Sequence, residues 1–116
     1  MSDWSGIIIE DGLLDVSVLD QVAVIRRRIK ELGVSGRWTV IDVTVRPDNM
    51  NAVESKLIKG LRPGWYAYFK RGDRIIIVFK GKVFNIKKGS KRSMLEVRNW
   101  AFKKYNVMPE VLTLDI

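Results

Sequence analysis

A basic loop ahead of a predicted helix is the first candidate for chemistry. Residues 87–93 read KKGSKRS and bring four cations, a glycine and two hydroxyls to the start of that helix. Free backbone amides, hydroxyls and cations together suit a phosphate group. Without an anion the cations are unfavourable there, since the helix dipole is positive at its N-terminus. The alternative is a solvated loop, because the segment has one glycine and no Walker motif. The candidate anion-binding residues are Lys87, Lys88, Ser90, Lys91 and Arg92.

An aromatic strand at 65–69 is the second candidate. Tyr66, Tyr68 and Lys70 alternate with apolar residues and are expected on the outward face of that strand. Aromatic rings between cations on an open sheet can stack bases and contact phosphates. The sequence does not meet the RNP1 pattern of sheet-based RNA binders. The alternative is that Tyr66 and Tyr68 pack against the N-terminal segment or a second subunit.

Charge is distributed unevenly along the chain. Residues 1–20 hold five acidic and no basic residues, whereas the remaining 96 residues carry a net charge of +13. Such a charge attracts nucleic acid and other polyanions. Within it the run of Arg26, Arg27 and Arg28 is a third candidate contact, although charge runs are usually solvated. The alternative for the whole chain is that the acidic N-terminal segment packs on the basic body and neutralises part of it.

The residue types that most enzymes need are absent from the sequence. With no His and no Cys, the chain lacks imidazole bases, thiolate nucleophiles, disulfides and Cys-based zinc sites. Carboxylates in the N-terminal segment could bind Mg²⁺ or act as an acid/base pair, but their spacing matches no metal loop. These are Glu10, Asp11, Asp15 and Asp20. The sequence therefore predicts no catalytic residue, no metal and no cofactor.

Three strands in an antiparallel meander are predicted at 64–88. An aromatic run at 65–69 and an apolar run at 74–79 are joined by a turn, and Gly81 leads into a third run at 82–87. The second strand is apolar on both faces, so we expect it to be the central and most buried one.

Two main helices are predicted at about 49–59 and 93–105. In the first, apolar residues recur at helical spacing up to Gly60. In the second, Ser93 and Glu96 have the spacing of a capping box.

The segment 13–32 fits two patterns. Its apolar residues form one helical stripe, yet the β-branched run Val22–Ile25 alternates as in a strand. We favour a short helix at about 14–20 followed by a strand at 21–30. Arginines on both faces of that strand would protect a sheet edge from pairing with another chain.

Two further strand signals complete the predicted sheet. Residues 38–45 alternate as in a half-buried strand, and Ile7–Ile9 form another strand or a packed arm. The expected fold is α+β: a mainly antiparallel sheet of about five strands with the two helices on one face. A length of 116 residues suits a single domain, 1–116. With no long apolar stretch and no leader-like N-terminus, we expect a cytoplasmic protein without a membrane segment.

Two segments resemble the signature of a known family. Residues 61–69 read LRPGWYAYF and residues 76–84 read IIVFKGKVF, as in a family of small prokaryotic proteins of unknown function. Residues 9–13, IEDGL, are similar as well. The resemblance implies a single domain and no established activity. Because the position of Tyr68 is often His in that family, a role that needs imidazole is not carried over.

Together these patterns predict a small basic protein, not an enzyme, that binds an anionic partner such as nucleic acid. The loop at 87–92 would carry the contact, with help from Arg26–Arg28. One alternative is a homodimer or larger homo-oligomer, structural or regulatory, whose open sheet face with Tyr66 and Tyr68 is buried against a second copy. Another is a Mg²⁺-dependent phosphoester or nucleotide enzyme that uses the N-terminal carboxylates.

Overall fold

The protein is described by a computed structural model that covers residues 3–31 and 36–105. Six antiparallel strands form one sheet: β1 (Trp4–Ile9), β2 (Ala23–Glu31), β3 (Arg37–Val45), β4 (Tyr66–Arg71), β5 (Arg74–Phe79) and β6 (Lys82–Lys87). The two helices are α1 (Met50–Gly60) and α2 (Lys91–Tyr105), and short 3₁₀ segments occupy Glu10–Gly12, Val16–Gln21 and Pro47–Asn49. The α+β class is confirmed, with six strands instead of about five.

The spatial order of the strands is β2-β3-β1-β4-β5-β6. The N-terminal strand β1 lies in the middle, where Trp4 pairs with Val45 of β3 and Ser5 pairs with Lys70 of β4. It joins the β2–β3 pair to the meander β4–β6, which was predicted at 64–88 and is confirmed. The prediction of a short helix followed by a strand in the segment 13–32 is also confirmed, because a short 3₁₀ helix is followed by the edge strand β2.

The two helices pack on opposite faces of the sheet, so their predicted placement on one face is wrong. On one face α1 contributes Leu57 to a buried cluster with Ile76 of β5. On the other, α2 contributes Val97 to a cluster with Ile77 of β5. Strand β5 presents apolar, buried side chains to both faces of the sheet. Each face therefore needs another element packed against it. The most buried strand was identified correctly, but it lies next to the edge strand β6 and not at the centre.

Helix α2 begins earlier than predicted, and its cap is a different serine. The Ser93 amide donates to the Ser90 Oγ at 3.3 Å, and the two hydroxyls lie 2.9 Å apart. The Met94 amide donates to the Ser90 carbonyl oxygen at 3.1 Å. Ser90 is therefore the N-cap, and the predicted capping box of Ser93 with Glu96 is wrong.

The turn between β5 and β6 fixes the C-terminal ends of both helices. The Gly81 amide donates to the Ile58 carbonyl oxygen at 3.1 Å, and Lys80 Nζ donates to the Lys59 carbonyl oxygen at 3.0 Å. From the other face, the Tyr105 hydroxyl donates to the Lys80 carbonyl oxygen at 3.0 Å. One turn thus satisfies helix-end carbonyls of α1 and orients the last turn of α2.

Candidate nucleic-acid interface

A row of paired residues crosses the sheet and shows which side chains share a face. Directly opposed residues of antiparallel strands point to the same side of a sheet. The strand registers give a row that runs Arg26, Asp42, Ile7, Tyr68, Ile77. Since Ile77 belongs to the cluster covered by α2, Arg26 and Asp42 lie on that same face, near the opposite edge of the sheet.

Cations lie on this face in strands β2 and β4. Arg28 is opposite Val40 and Lys30 is opposite Trp38, so both share the face of Arg26. Lys70 reaches the same face from β4, because it pairs with Ser5, which pairs with Thr44. We call this the basic sheet surface and define it by Arg26, Arg28, Lys30, Asp42 and Lys70. A hollow of about 530 Å³ lies in it, lined among others by Arg28, Asp42, Tyr68 and Lys70.

Asp42 lies between two arginines of this surface. The Arg28 Nε donates to Asp42 Oδ2 at 3.0 Å and its Nη2 donates to Oδ1 at 3.3 Å, while the Arg26 Nε donates to Oδ2 at 3.1 Å. The Asp42 side chain is 22% exposed, against 42% for Arg28 and 67% for Arg26. The hydrogen bonds from Arg28 lower the pKa of Asp42 against partial desolvation, with Arg26 adding to the effect.

The lowered pKa predicts a specific loss of stability in acid. Asp42 loses its proton more readily in the folded than in the unfolded chain. Its contribution to the free energy of unfolding is therefore present above the pKa that Asp42 has in the unfolded chain, and it is lost as the pH falls through the lower pKa of the folded chain. Between about pH 5 and pH 3, the Asp42→Asn variant should therefore lose less unfolding free energy than the wild type. Urea unfolding at several pH values measures this. Burial raises the pKa of Glu54, so Glu54→Gln should steepen the acid loss; equal slopes in all three proteins would contradict the assignment.

The predicted arginine run is divided between the two faces of β2. Arg26 and Arg28 lie on the basic sheet surface, whereas Arg27 is opposite Ile41 and points to the α1 side. There its Nε lies 3.7 Å from Glu10 Oε2. The structure brings two of the three arginines together, as alternation along a strand requires.

Tyr66 and Tyr68 are buried, and their expected place on an open face is wrong. They are 2% and 5% exposed and belong to the cluster of Ile9, against which Ile7 and Trp38 also pack. Packing beside the N-terminal strand was the alternative weighed from the sequence. Such burial leaves almost no ring surface for stacking a base or for contacting a second subunit.

The loop at 87–92 lies apart from the basic sheet surface. Lys87 and Lys91 line a second hollow of about 540 Å³ beside α2, which shares no lining residue with the first. The Lys88 amide donates to the Asp73 carbonyl oxygen at 2.7 Å, and Arg92 is 93% exposed, 4.0 Å from Glu96. The Ser90 hydroxyl caps α2. An anion site at this loop stays a prediction.

Trp38 is a candidate contact that the sequence did not single out. It is half-buried on the basic sheet surface, opposite Lys30, and its ring lies 5.2 Å from that of Trp65. Only the pairing of β2 with β3, which places an aromatic ring beside Lys30 and Arg28, could have identified it.

The N-terminal carboxylates serve separate structural roles. Asp11 Oδ2 accepts the Thr39 amide at 2.7 Å, Asp15 Oδ1 accepts the Ser17 amide at 2.9 Å, and Glu10 pairs with an arginine. Within residues 3–31 and 36–105, no three acidic side chains come together in a way that could hold a metal ion. The geometry thus offers no support for the Mg²⁺-dependent alternative.

Comparison with known proteins adds no relative. No protein-family model, no curated protein and no solved structure matches the chain. The resemblance carried by residues 61–69 and 76–84 stays a prediction. Neither helix in the described part of the chain has the length and apolarity needed to cross a bilayer.

Proposed function

We propose that this protein binds nucleic acid, preferentially single-stranded, along the basic sheet surface. The observation that carries the proposal is that four cations, Arg26, Arg28, Lys30 and Lys70, lie on one face of the sheet, with Arg26 and Arg28 sharing the carboxylate of Asp42. The net charge of +8 supports a polyanionic partner. Contacts between these cations and the phosphates of the nucleic acid would release counterions and supply most of the binding free energy.

The spacing of the cations suits an extended phosphate backbone. Arg26, Arg28 and Lys30 point to one side at alternate positions along β2, about 6.5–7 Å apart. Lys70 lies three strands away, across roughly 14 Å of sheet. A single strand can follow such a surface and place a base against the half-buried Trp38. Phosphate contacts of this kind predict binding with little sequence preference.

Two matched charge reversals test the location. Lys30→Glu/Lys70→Glu removes two cations from the basic sheet surface, and Lys87→Glu/Lys88→Glu removes two from the loop with the same change in net charge. At 0.1 M salt, where screening acts over about 10 Å, we expect the sheet variant to weaken binding of a labelled single strand at least tenfold. The loop variant should weaken it about threefold or less, as a secondary contact.

Fluorescence anisotropy with single- and double-stranded oligonucleotides measures both affinities. Circular dichroism and thermal unfolding confirm that each variant is folded. A larger loss in the loop variant would move the interface to residues 87–92. Equal affinity of both variants and the wild type would refute the proposal.

A homodimer through β2 is the second candidate, because three apolar side chains on this edge strand are exposed. Val24, Ile25 and Ile29 are 41%, 65% and 64% exposed. Pairing two copies of β2 would, however, bring their arginines together, and like charges on adjacent strands are destabilising. Sedimentation velocity of the free protein separates the candidates: a dimer that ignores salt and nucleic acid would favour the second.

A further inference from the structure

The hollow of about 540 Å³ beside α2 has an apolar lining. Its size is within the range of pockets that bind small organic ligands. The apolar side chains come from two elements, Ile75 from β5 and Met94 and Leu95 from the first two turns of α2. Leu95 is 58% exposed, so more than half of its surface is in contact with water in the free protein. Contact with the apolar part of a ligand would remove this surface from water, which favours binding.

Two cations border the same lining. Lys91, Met94, Leu95 and Arg98 follow the spacing i, i+3, i+4, i+7 and therefore form one stripe along α2, with a cation at each end. The Cα atoms of Lys91 and Arg98 are about 10 Å apart along the helix, a separation that two long side chains can bridge around one anionic group. Within residues 3–31 and 36–105, no carboxylate lines the hollow or forms an ion pair with either cation. The hollow thus combines an exposed apolar surface with two positive charges that no described acidic side chain neutralises.

We propose that this hollow binds a small amphipathic anion, an organic acid with a carboxylate head and a short alkyl body. The alkyl body packs against Ile75 and Leu95, and the carboxylate lies between Lys91 and Arg98. Charge-assisted hydrogen bonds are stronger than those between neutral groups, so the head fixes the orientation of the ligand. Ile75, Met94 and Leu95 offer no strong hydrogen-bonding group to the edge of a base, which favours an alkyl body over a nucleotide. The inference is independent of the proposed function, because the hollow shares no lining residue with the one on the basic sheet surface.

A titration with octanoate followed by ¹H–¹⁵N NMR tests the inference. We expect saturable shifts of the backbone amides in residues 89–98, with a dissociation constant of about 1 mM or lower. Acetate lacks the apolar body and 1-octanol lacks the charge, so each should bind about fivefold more weakly or worse. Equal binding of acetate or of 1-octanol would show that the head or the body alone is recognised, and would overturn the inference.

A leucine pair tests the apolar half of the site. Leu95→Gln removes apolar surface from the hollow, and Leu14→Gln changes a leucine of similar exposure, 55%, that does not line it. We expect octanoate to bind Leu95→Gln about fivefold more weakly than the wild type and to bind Leu14→Gln within about twofold of it. The NMR spectrum of each free variant shows whether it is folded. Unchanged affinity of folded Leu95→Gln would contradict the placement of the alkyl body.

Two double variants test the charged half. Lys91→Gln/Arg98→Gln removes both cations of the hollow, and Arg92→Gln/Lys103→Gln removes two exposed cations of α2 that do not line it, with the same change in net charge. We expect about fivefold or greater weakening of octanoate binding in the first and less than about twofold in the second. Equal weakening in both would show dependence on net charge alone and overturn the inference. Shifts at residues 89–98 with the single-stranded oligonucleotide and none with octanoate would assign the hollow to nucleic acid and also overturn it.

Discussion

Gly6→Ala should destabilise the protein by about 3 kcal/mol or more. Gly6 lies in β1 between Val43 of β3 and Phe69 of β4. A methyl group there would meet the backbone oxygen of Tyr68, and it would lie 2.5 Å from Phe69 Cδ1 and 2.9 Å from Phe69 Cα. A ring can turn away from such a contact, but the backbone of a paired neighbouring strand cannot without breaking hydrogen bonds.

Urea unfolding followed by far-UV circular dichroism measures this loss as a lower transition midpoint. Ser5→Ala is the matched control, because Ser5 is the next residue of β1 and is exposed. That substitution should change the unfolding free energy by less than about 0.5 kcal/mol. Equal stability of Gly6→Ala and wild type would contradict the close placement of β1 between its two neighbours.

Local sequence patterns predicted most of the helices and strands of this fold. They could not predict which strands pair when these are far apart in the sequence. The meander β4–β6 is joined by short turns, so its pairing follows from the order along the chain. Strand β1 pairs with β3 and β4, from which it is separated by about 30 residues or more. No turn residue predicts that β1 lies between β3 and β4. The residues Ile7–Ile9 alone do not distinguish a central strand from a packed arm.

The placement of the helices could have been predicted from one strand. Residues 75–79 of β5 are apolar at every position, and both faces of such a strand must be covered. Placing both helices on one face contradicted that pattern. The burial of Tyr66 and Tyr68 has a related origin, because Ile9 of β1 and Val97 of α2 belong to the same buried cluster as these two rings.

Only parts of the candidate interface could be predicted from the sequence. Alternation along β2 predicts that Arg26 and Arg28 share a face, and it also separates them from Arg27. Nothing local places Asp42 between these two arginines, since the pairing depends on a register shift between Val24 and Arg26. The shift brings Arg26 opposite Asp42, and a bulge of this kind is not encoded by hydrophobic alternation.

The affinity for single-stranded nucleic acid should fall steeply with salt. We expect about three phosphate contacts from the cations of the basic sheet surface, which predicts a log–log slope of about −2. Between 50 and 200 mM salt, affinity should then fall by a factor on the order of 15. The effect follows from released counterions, so oligonucleotides of equal length and different sequence should show similar slopes.

A salt titration of wild-type protein beside the Lys30→Glu/Lys70→Glu variant tests the central claim most directly. Anisotropy with one labelled single strand gives both slopes, with thermal unfolding as the check on folding at each salt concentration. We predict a slope of about −2 for the wild type and a clearly shallower slope for the variant. Binding that ignores salt, or that keeps its slope when both lysines are reversed, would contradict a nucleic-acid interface on the basic sheet surface.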